Sequence, residues 1–99
     1  QKLRIKIGTV KKAEKHPNAD KLYVLQVDIG DKLIQIVSGL KGYYKLNDLK
    51  GKQIVVFTNL KPTKLRGVES NGMLLAAEHK DKVVLLEPDK KIKEGAEIC

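Results

Sequence analysis

A chain of 99 residues with 41% hydrophobic content specifies one modest core and leaves too little for a second domain. Twenty Lys and Arg against twelve Asp and Glu give a formal charge of +8, which suits a polyanionic partner as well as it suits a lysine-rich soluble surface. No run reaches membrane-spanning length, no signal-peptide pattern opens the chain, and one cysteine, Cys99, cannot build a disulfide framework; together these fit a cytoplasmic, reducing compartment. The chain opens on Gln1 rather than Met, as a piece cut from a longer protein would.

Leu3, Ile5, Ile7 and Val10 set the alternation of a first strand. "KKAEKHPNADK" (11–21) ends it with the turn formers Pro17, Asn18 and Asp20. "LYVLQVDI" (22–29) predicts a second strand, Gly30-Asp31 a tight turn, and "KLIQIVS" (32–38) the return strand of a hairpin. "GLKGYYKLNDLKGK" (39–52) is irregular, with one helical turn expected around 44–49. "QIVVFTNL" (53–60) predicts a fourth strand, "MLLAAE" (73–78) a fifth and "KVVLLEP" (82–88) a sixth, stopped by Pro88; a polar tail follows. Between strands four and five lies a basic connection longer than an ordinary hairpin loop.

This order predicts an all-β chain with the plan of an OB-fold. That plan is a five-stranded barrel with a short helical insertion after strand three, here with an additional C-terminal strand. In OB-folds the loops between strands one and two and between strands four and five flank the ligand face. Here those loops are 11–21 and 59–72, the two longest lysine-rich loops of the chain.

"HPNADKLYVLQVDIG" (16–30), "IVSGL" (36–40) and "NLKPTKLRGVESNGMLLAA" (59–77) resemble, in order and over nearly the whole chain, the tRNA-binding domain family. That domain is appended to methionyl- and some other aminoacyl-tRNA synthetases. It also occurs in endothelial monocyte-activating polypeptide II and as free-standing tRNA-binding proteins. The tail "LEPDKKIKEGAEI" resembles the archaeal methionyl-tRNA synthetase version. The resemblance implies a noncatalytic OB-fold that grips tRNA by backbone and shape, as an appendage or separate beta subunit of a synthetase. It implies a basic loop made here of Asn59, Lys61, Lys64, Arg66, Ser70 and Met73; Lys12, Lys15, His16 and Lys21, in the loop that flanks the same face of the OB plan, are additional candidate RNA contacts. The family's Asp-Leu-Arg before Val-Gly is replaced by Arg4-Ile5-Lys6 before Ile7-Gly8. The helical extension that often precedes that strand, and reaches across a dimer, has no counterpart here.

These residue types suit the task. Cations bind phosphates by releasing counterions, and Pro62 stiffens the loop. Asn71-Gly72 is a tight-turn dipeptide, and the Ser70 hydroxyl suits a phosphate or a 2′-hydroxyl. Met73 suits packing under a base or ribose as well as it suits the first core position of strand five. Three tyrosines and one phenylalanine are few for a single-strand binder that stacks bases, so backbone and shape recognition is expected. Phe57 is assigned to the core, Tyr23 to either face of its strand, and of Tyr43 and Tyr44 one is expected to pack.

The motifs of catalysis are missing. His16 within "HPNAD" reads better as turn support than as a phosphate ligand, and Asn18 and Asp20 as turn bonds. His16, His79 and Cys99 lack metal-ligand spacing, a terminal Cys99 lacks the supporting shell a nucleophile needs, and Asp20, Asp28 and Asp31 suit turns and strand ends. No enzyme, metal or cofactor is expected. Three other readings share the fold: a dimeric peptide-binding secretion chaperone, a signalling polypeptide released from a synthetase complex, and a generic single-strand binder. The chaperone family lacks the full "HPNADKLY" and "KPTKLRGVESNGM" blocks, and the signalling chains carry a further domain. A symmetric homodimer is expected from the consecutive apolar residues Val83-Val84-Leu85-Leu86.

Overall fold

The computed structural model describes residues 4–99, so Leu3 and Gln1 lie outside the described residues. Nine strands and one helical turn follow in chain order: β1 (Ile5–Lys15), β2 (Tyr23–Asp28), β3 (Leu33–Ser38), α1 (Leu46–Leu49), β4 (Gln53–Phe57), β5 (Thr63–Leu65), β6 (Val68–Ser70), β7 (Met73–Leu74), β8 (Ala76–His79) and β9 (Lys82–Leu85). The antiparallel order β3-β2-β1-β4-β7 forms a nearly closed five-stranded barrel; β5-β6 and β8-β9 are separate hairpins.

The barrel turns on β1, which serves two neighbours in succession. Its first half pairs with β4, from Ile5 opposite Phe57 to Thr9 opposite Gln53. Its second half pairs with β2, from Thr9 opposite Asp28 to Lys15 opposite Tyr23. A bulge between Val10 and Lys12 re-aims the strand at this changeover. Gly8 sits there because nothing larger fits: a Cβ at Gly8 would lie 2.5 Å from Val27 Cγ1. β1 therefore runs through residues 11–15, which the sequence reading assigned to a loop.

Leu25, Ile36, Leu40, Leu49, Ile54, Val10, Val27 and Val56 are fully buried and fill the barrel. They come from β1, from alternate positions of β2 and β4, from β3 and from the insertion, as period-two strands require. α1 is a single turn that delivers Leu49 into this core. The insertion is tied down by a tyrosine relay. The Tyr23 hydroxyl donates to the Tyr44 carbonyl at 2.9 Å, and the Tyr44 hydroxyl accepts the Leu85 N–H at 3.0 Å. Tyr44 packs against the core while Tyr43 is exposed. Phe57, assigned to the core from sequence, is only half-buried at the end of β4, where it pairs with Met73 of β7.

Several boundaries differ from the sequence reading. The fifth strand is interrupted at Leu75 because its backbone turns to bond β4 and the segment after β9: Leu75 N–H donates to Val55 O, and Leu86 N–H to Leu75 O. The tail is not a loose polar segment. Ile7 N–H donates to Ala96 O, Gly95 N–H to Ile7 O and Ile98 N–H to Ile5 O, all within 2.8–2.9 Å. These bonds fill the edge of β1 that β2 leaves open. Gln53 clasps the Ile92 backbone from both sides, at 2.6 and 3.1 Å. The Glu94 carboxyl is held below the usual carboxylate range by its own backbone N–H, helped by the Thr9 hydroxyl and by Lys11 and Lys93. Val84 and Leu86 face solvent while Leu85 is buried, so the apolar run alternates like an ordinary strand.

Gly8→Ala should therefore overpack the barrel at the β1 bulge and cost about 1–3 kcal/mol. Urea unfolding measures this; an unchanged midpoint would remove steric exclusion as the reason for glycine here.

Candidate functional site

The segment read as a long loop, 59–72, contains a hairpin. Thr63 pairs with Ser70, Lys64 with Glu69 and Leu65 with Val68, leaving Arg66-Gly67 as a two-residue turn. Both turn residues have positive φ, 53° at Arg66 and 89° at Gly67. This is the type I′ geometry whose twist matches antiparallel strands. Gly67 takes its angle without strain, whereas Arg66 is a non-glycine residue held in the left-handed region.

Two sets of bonds hold that turn in place. The first comes from "HPNAD". His16 is 6% exposed, and its Nδ1 accepts the Asn18 N–H at 2.9 Å. Nδ1 is therefore unprotonated, and in the neutral ring Nε2 carries the hydrogen and donates to the Leu65 carbonyl at 2.8 Å. Asn18 Nδ2 donates to the Arg66 carbonyl at 3.3 Å, and the Arg66 guanidinium reaches the Asn18 carbonyl at 3.5 Å. His16 thus bridges the two loops expected to flank a ligand face, and it is buried rather than presented to phosphate. Asn18 reaches across to the hairpin instead of closing its own turn.

The second set joins the hairpin to β3. The Ser70 hydroxyl accepts the Val37 N–H at 3.0 Å and donates to the Gly72 carbonyl at 3.0 Å. Gln35 Nε2 donates to the Glu69 carbonyl, and Asn71 N–H donates to the Gln35 carbonyl, both at 2.7 Å. The phosphate or 2′-hydroxyl contact expected of Ser70 is therefore not available to it: Ser70 is 6% exposed and its hydroxyl hydrogen is committed. Asn59 is exposed, and its Oδ1 accepts the Arg4 N–H at 2.6 Å, anchoring the base of the segment to the start of β1.

The remaining expected residues are exposed but do not all share one face. Lys64 occupies the middle of β5, opposite in pleat to Thr63 and Leu65. Lys61 lies on the side of Thr63 and Leu65, beside a concavity, and Arg66 stands at the tip. Met73 is 55% exposed at the start of β7, which excludes the core position. Lys15 and Lys21 are exposed beside His16 in the chain, while Lys12 is 3.4 Å from Glu14. Among the described residues the ion pairs involve Arg4, Lys11, Lys12 and Lys52, and none engages Lys61, Lys64 or Arg66. The charge of the hairpin is therefore open to a partner. Sequence reasoning missed Gln35, Leu60 and Leu65, which support or line this site; only the strand pairing brings them to it.

A larger open concavity of about 500 Å³ lies near Lys52 and Gln53, at the other end of β4. Its lysines are interleaved with Asp48, Glu87 and Asp89, so it has no single sign of charge. Among the described residues no group of three or more His, Cys, Asp or Glu converges as metal ligands, and no helix is long and apolar enough to cross a membrane.

His16→Ala should leave the Asn18 N–H and the Leu65 carbonyl without their partner and destabilise the chain by about 1–3 kcal/mol. Amide exchange should rise selectively in 63–70, and ring ¹⁵N shifts of the parent chain should report the Nε2–H form. Unaltered exchange across the hairpin would show that His16 does not hold it.

Comparison with known proteins agrees with this geometry. The family model for the tRNA binding domain matches residues 5–97. A methionine–tRNA ligase of Thermococcus kodakarensis is 54% identical over 97 residues, which is 98% of this chain but 13% of that protein. Among solved structures, a methionyl-tRNA-synthetase-related protein of Pyrococcus horikoshii superposes with a TM-score of 0.91 at 41% identity, covering 98% of this chain and 90% of the other. The chaperone CsaA of Bacillus anthracis superposes with a TM-score of 0.89 at 31% identity, again covering 98% and 90%. The match over almost every described residue, with the pinned basic hairpin inside it, places this chain in the tRNA-binding domain family.

Proposed function

We propose that the chain is a noncatalytic module that binds folded tRNA by its backbone and shape and presents it to a methionyl-tRNA synthetase catalytic body. One observation supports this reading above the others. Lys64 and Arg66, and Lys61 just before them, are without ion pairs among the described residues and are carried by a hairpin whose turn is fixed by His16 and whose base is fixed by Ser70. A rigid array of charge loses little entropy on binding and suits a backbone of fixed curvature. Lys15, the last residue of β1, and Lys21, in the loop after it, add charge on either side of His16. Tethering such a module to a catalytic chain raises the local tRNA concentration without new contacts at the catalytic site. The setting proposed is the cytoplasm.

A second reading, a peptide-binding chaperone, is favoured by the similarity to CsaA and by the apolar lining of the concavity beside Lys61. The excess of cations over acids on the hairpin speaks for RNA.

Lys64→Ala and Arg66→Ala should each weaken tRNA binding by roughly 1 kcal/mol or more, with little preference among tRNA species. Filter binding across a salt series measures it, with single-stranded RNA and an unfolded polypeptide as competitors. Parent-like affinity in both folded variants, or a flat salt response, overturns the assignment.

We also propose a symmetric homodimer. Val84 is 51% and Leu86 41% exposed on one face of the β9 segment, an apolar pair that a second copy would cover. Pairing would join two basic surfaces into a wider cradle for one asymmetric RNA. Sedimentation at micromolar concentration should give a species near twice the chain mass, and Val84→Asp should return it to a single chain. A monomer throughout, with and without tRNA, excludes the dimer.

A further inference from the structure

Beneath the β5-β6 hairpin is a concavity of about 190 Å³. Its apolar lining is Val37, Leu60, Leu65 and Met73, drawn from β3, the segment before β5, β5 itself and β7. Leu65 is 37% and Met73 55% exposed, so two large apolar side chains stand open to water beside the basic segment of Lys61, Lys64 and Arg66. Their convergence on one concavity, together with Val37 and Leu60, sets them apart from the singly exposed apolar residues of the chain and marks a place that receives something apolar. We propose that this concavity takes one unpaired nucleobase of the bound RNA, a refinement that rests on the tRNA-binding reading above.

Size, shape and charge favour that occupant. The cavity lies below the range of 300–1,000 Å³ typical of sites for larger ligands. A single flat ring is of the right order. Branched aliphatic side chains and a thioether can cover the faces of a planar ring, and sulfur packs favourably against aromatic edges and faces. The Ser70 hydroxyl, which lies in the lining, has already given its hydrogen to the Gly72 carbonyl. That hydroxyl therefore has no donor left to read a base edge, and the site registers a ring without selecting its sequence. Lys61 and Thr63, both exposed, border the same cavity, where a ribose-phosphate continuing from the inserted base would lie.

A base inside a helix is stacked and paired and cannot enter. The cavity therefore selects RNA that displays an unstacked base next to a backbone fitting the hairpin, which is a physical basis for preferring a folded tRNA over plain duplex. An apolar side chain of an unfolded polypeptide is the rival occupant. Such a chain does not carry the regular negative charge that the surrounding cations match.

The test compares the parent chain with Met73→Ala and Met73→Phe, neither of which disturbs a buried position. Binding is measured to tRNA, to a blunt fully paired RNA duplex and to an unfolded polypeptide, across a salt series. Met73→Ala should weaken tRNA binding about five- to tenfold, within the range of one lost base contact. The slope of affinity against salt should stay the same, because no phosphate contact is removed. Duplex binding should not change, and Met73→Phe should restore tRNA affinity by offering a larger face. Equal losses for tRNA and duplex, or parent-like tRNA binding by Met73→Ala, overturn the base pocket while leaving the phosphate contacts standing. Loss of polypeptide binding with tRNA binding intact assigns the cavity to a peptide side chain. A parent chain with no salt-dependent tRNA binding removes both the pocket and the reading beneath it.

Discussion

The hydroxyl of Ser70 stands where a neighbouring strand would have placed a carbonyl. It accepts the N–H of Val37 on β3, the edge of the sheet where the ladder would otherwise stop. An unpaired amide buried at that edge is costly, and an uncovered edge invites pairing with other chains. One short polar side chain, with Gln35 and Asn71 on either side, answers both problems. It also fixes where the β5-β6 hairpin leaves the barrel, and so where its cations and the cavity beneath it lie. The residue that most resembles a ligand contact from sequence thus acts through the position it gives to others.

The same economy holds at the tip. Arg66 occupies a backbone region that suits Asn, Asp or Gly better, and the surrounding bonds from His16 and Asn18 hold it there. The side chain gained by this arrangement is a guanidinium at the outermost point of the hairpin. Four cations elsewhere, Arg4, Lys11, Lys12 and Lys52, are paired with acids, while many other lysines are as open as those of the hairpin. What sets the hairpin cations apart is therefore the fixed backbone that carries them, held by His16, Asn18 and Ser70, rather than a lack of ion pairs.

The barrel was legible in the sequence because its strands are short apolar, β-branched runs bounded by turn formers, with clean alternation in Gln53–Phe57 and near-continuous burial in Tyr23–Asp28. The basic segment was legible as a site but not as a hairpin. Thr63-Lys64-Leu65 is exposed throughout, so burial imposes no alternation on it, and Arg66-Gly67 lacks the Asn or Asp that usually marks such a turn. The tail escaped notice for a related reason. Its bonds to β1 run through backbone atoms of residues 95–98, to which side-chain patterns are blind. His16 was read both as turn support and as a further RNA contact; its partner in the fold, Leu65, lies 49 positions away, a distance that local turn chemistry cannot reach. Ser70 shows the converse: its chemistry suits RNA, and the fold uses that chemistry internally.

The tail docked on β1 also brings the two ends of the described chain together. Arg4 bonds Glu97 through its guanidinium at 2.8 Å and Asn59 through its backbone N–H, so both ends emerge beside the base of the basic hairpin. The fold is in this respect a cassette with its socket next to its working face. A polypeptide spliced to either end would be stationed within a few residues of anything held by the hairpin, without a long linker to search space on its behalf. Architecture of this kind transplants readily, because the orientation between host and cargo is written into the cassette rather than into the host.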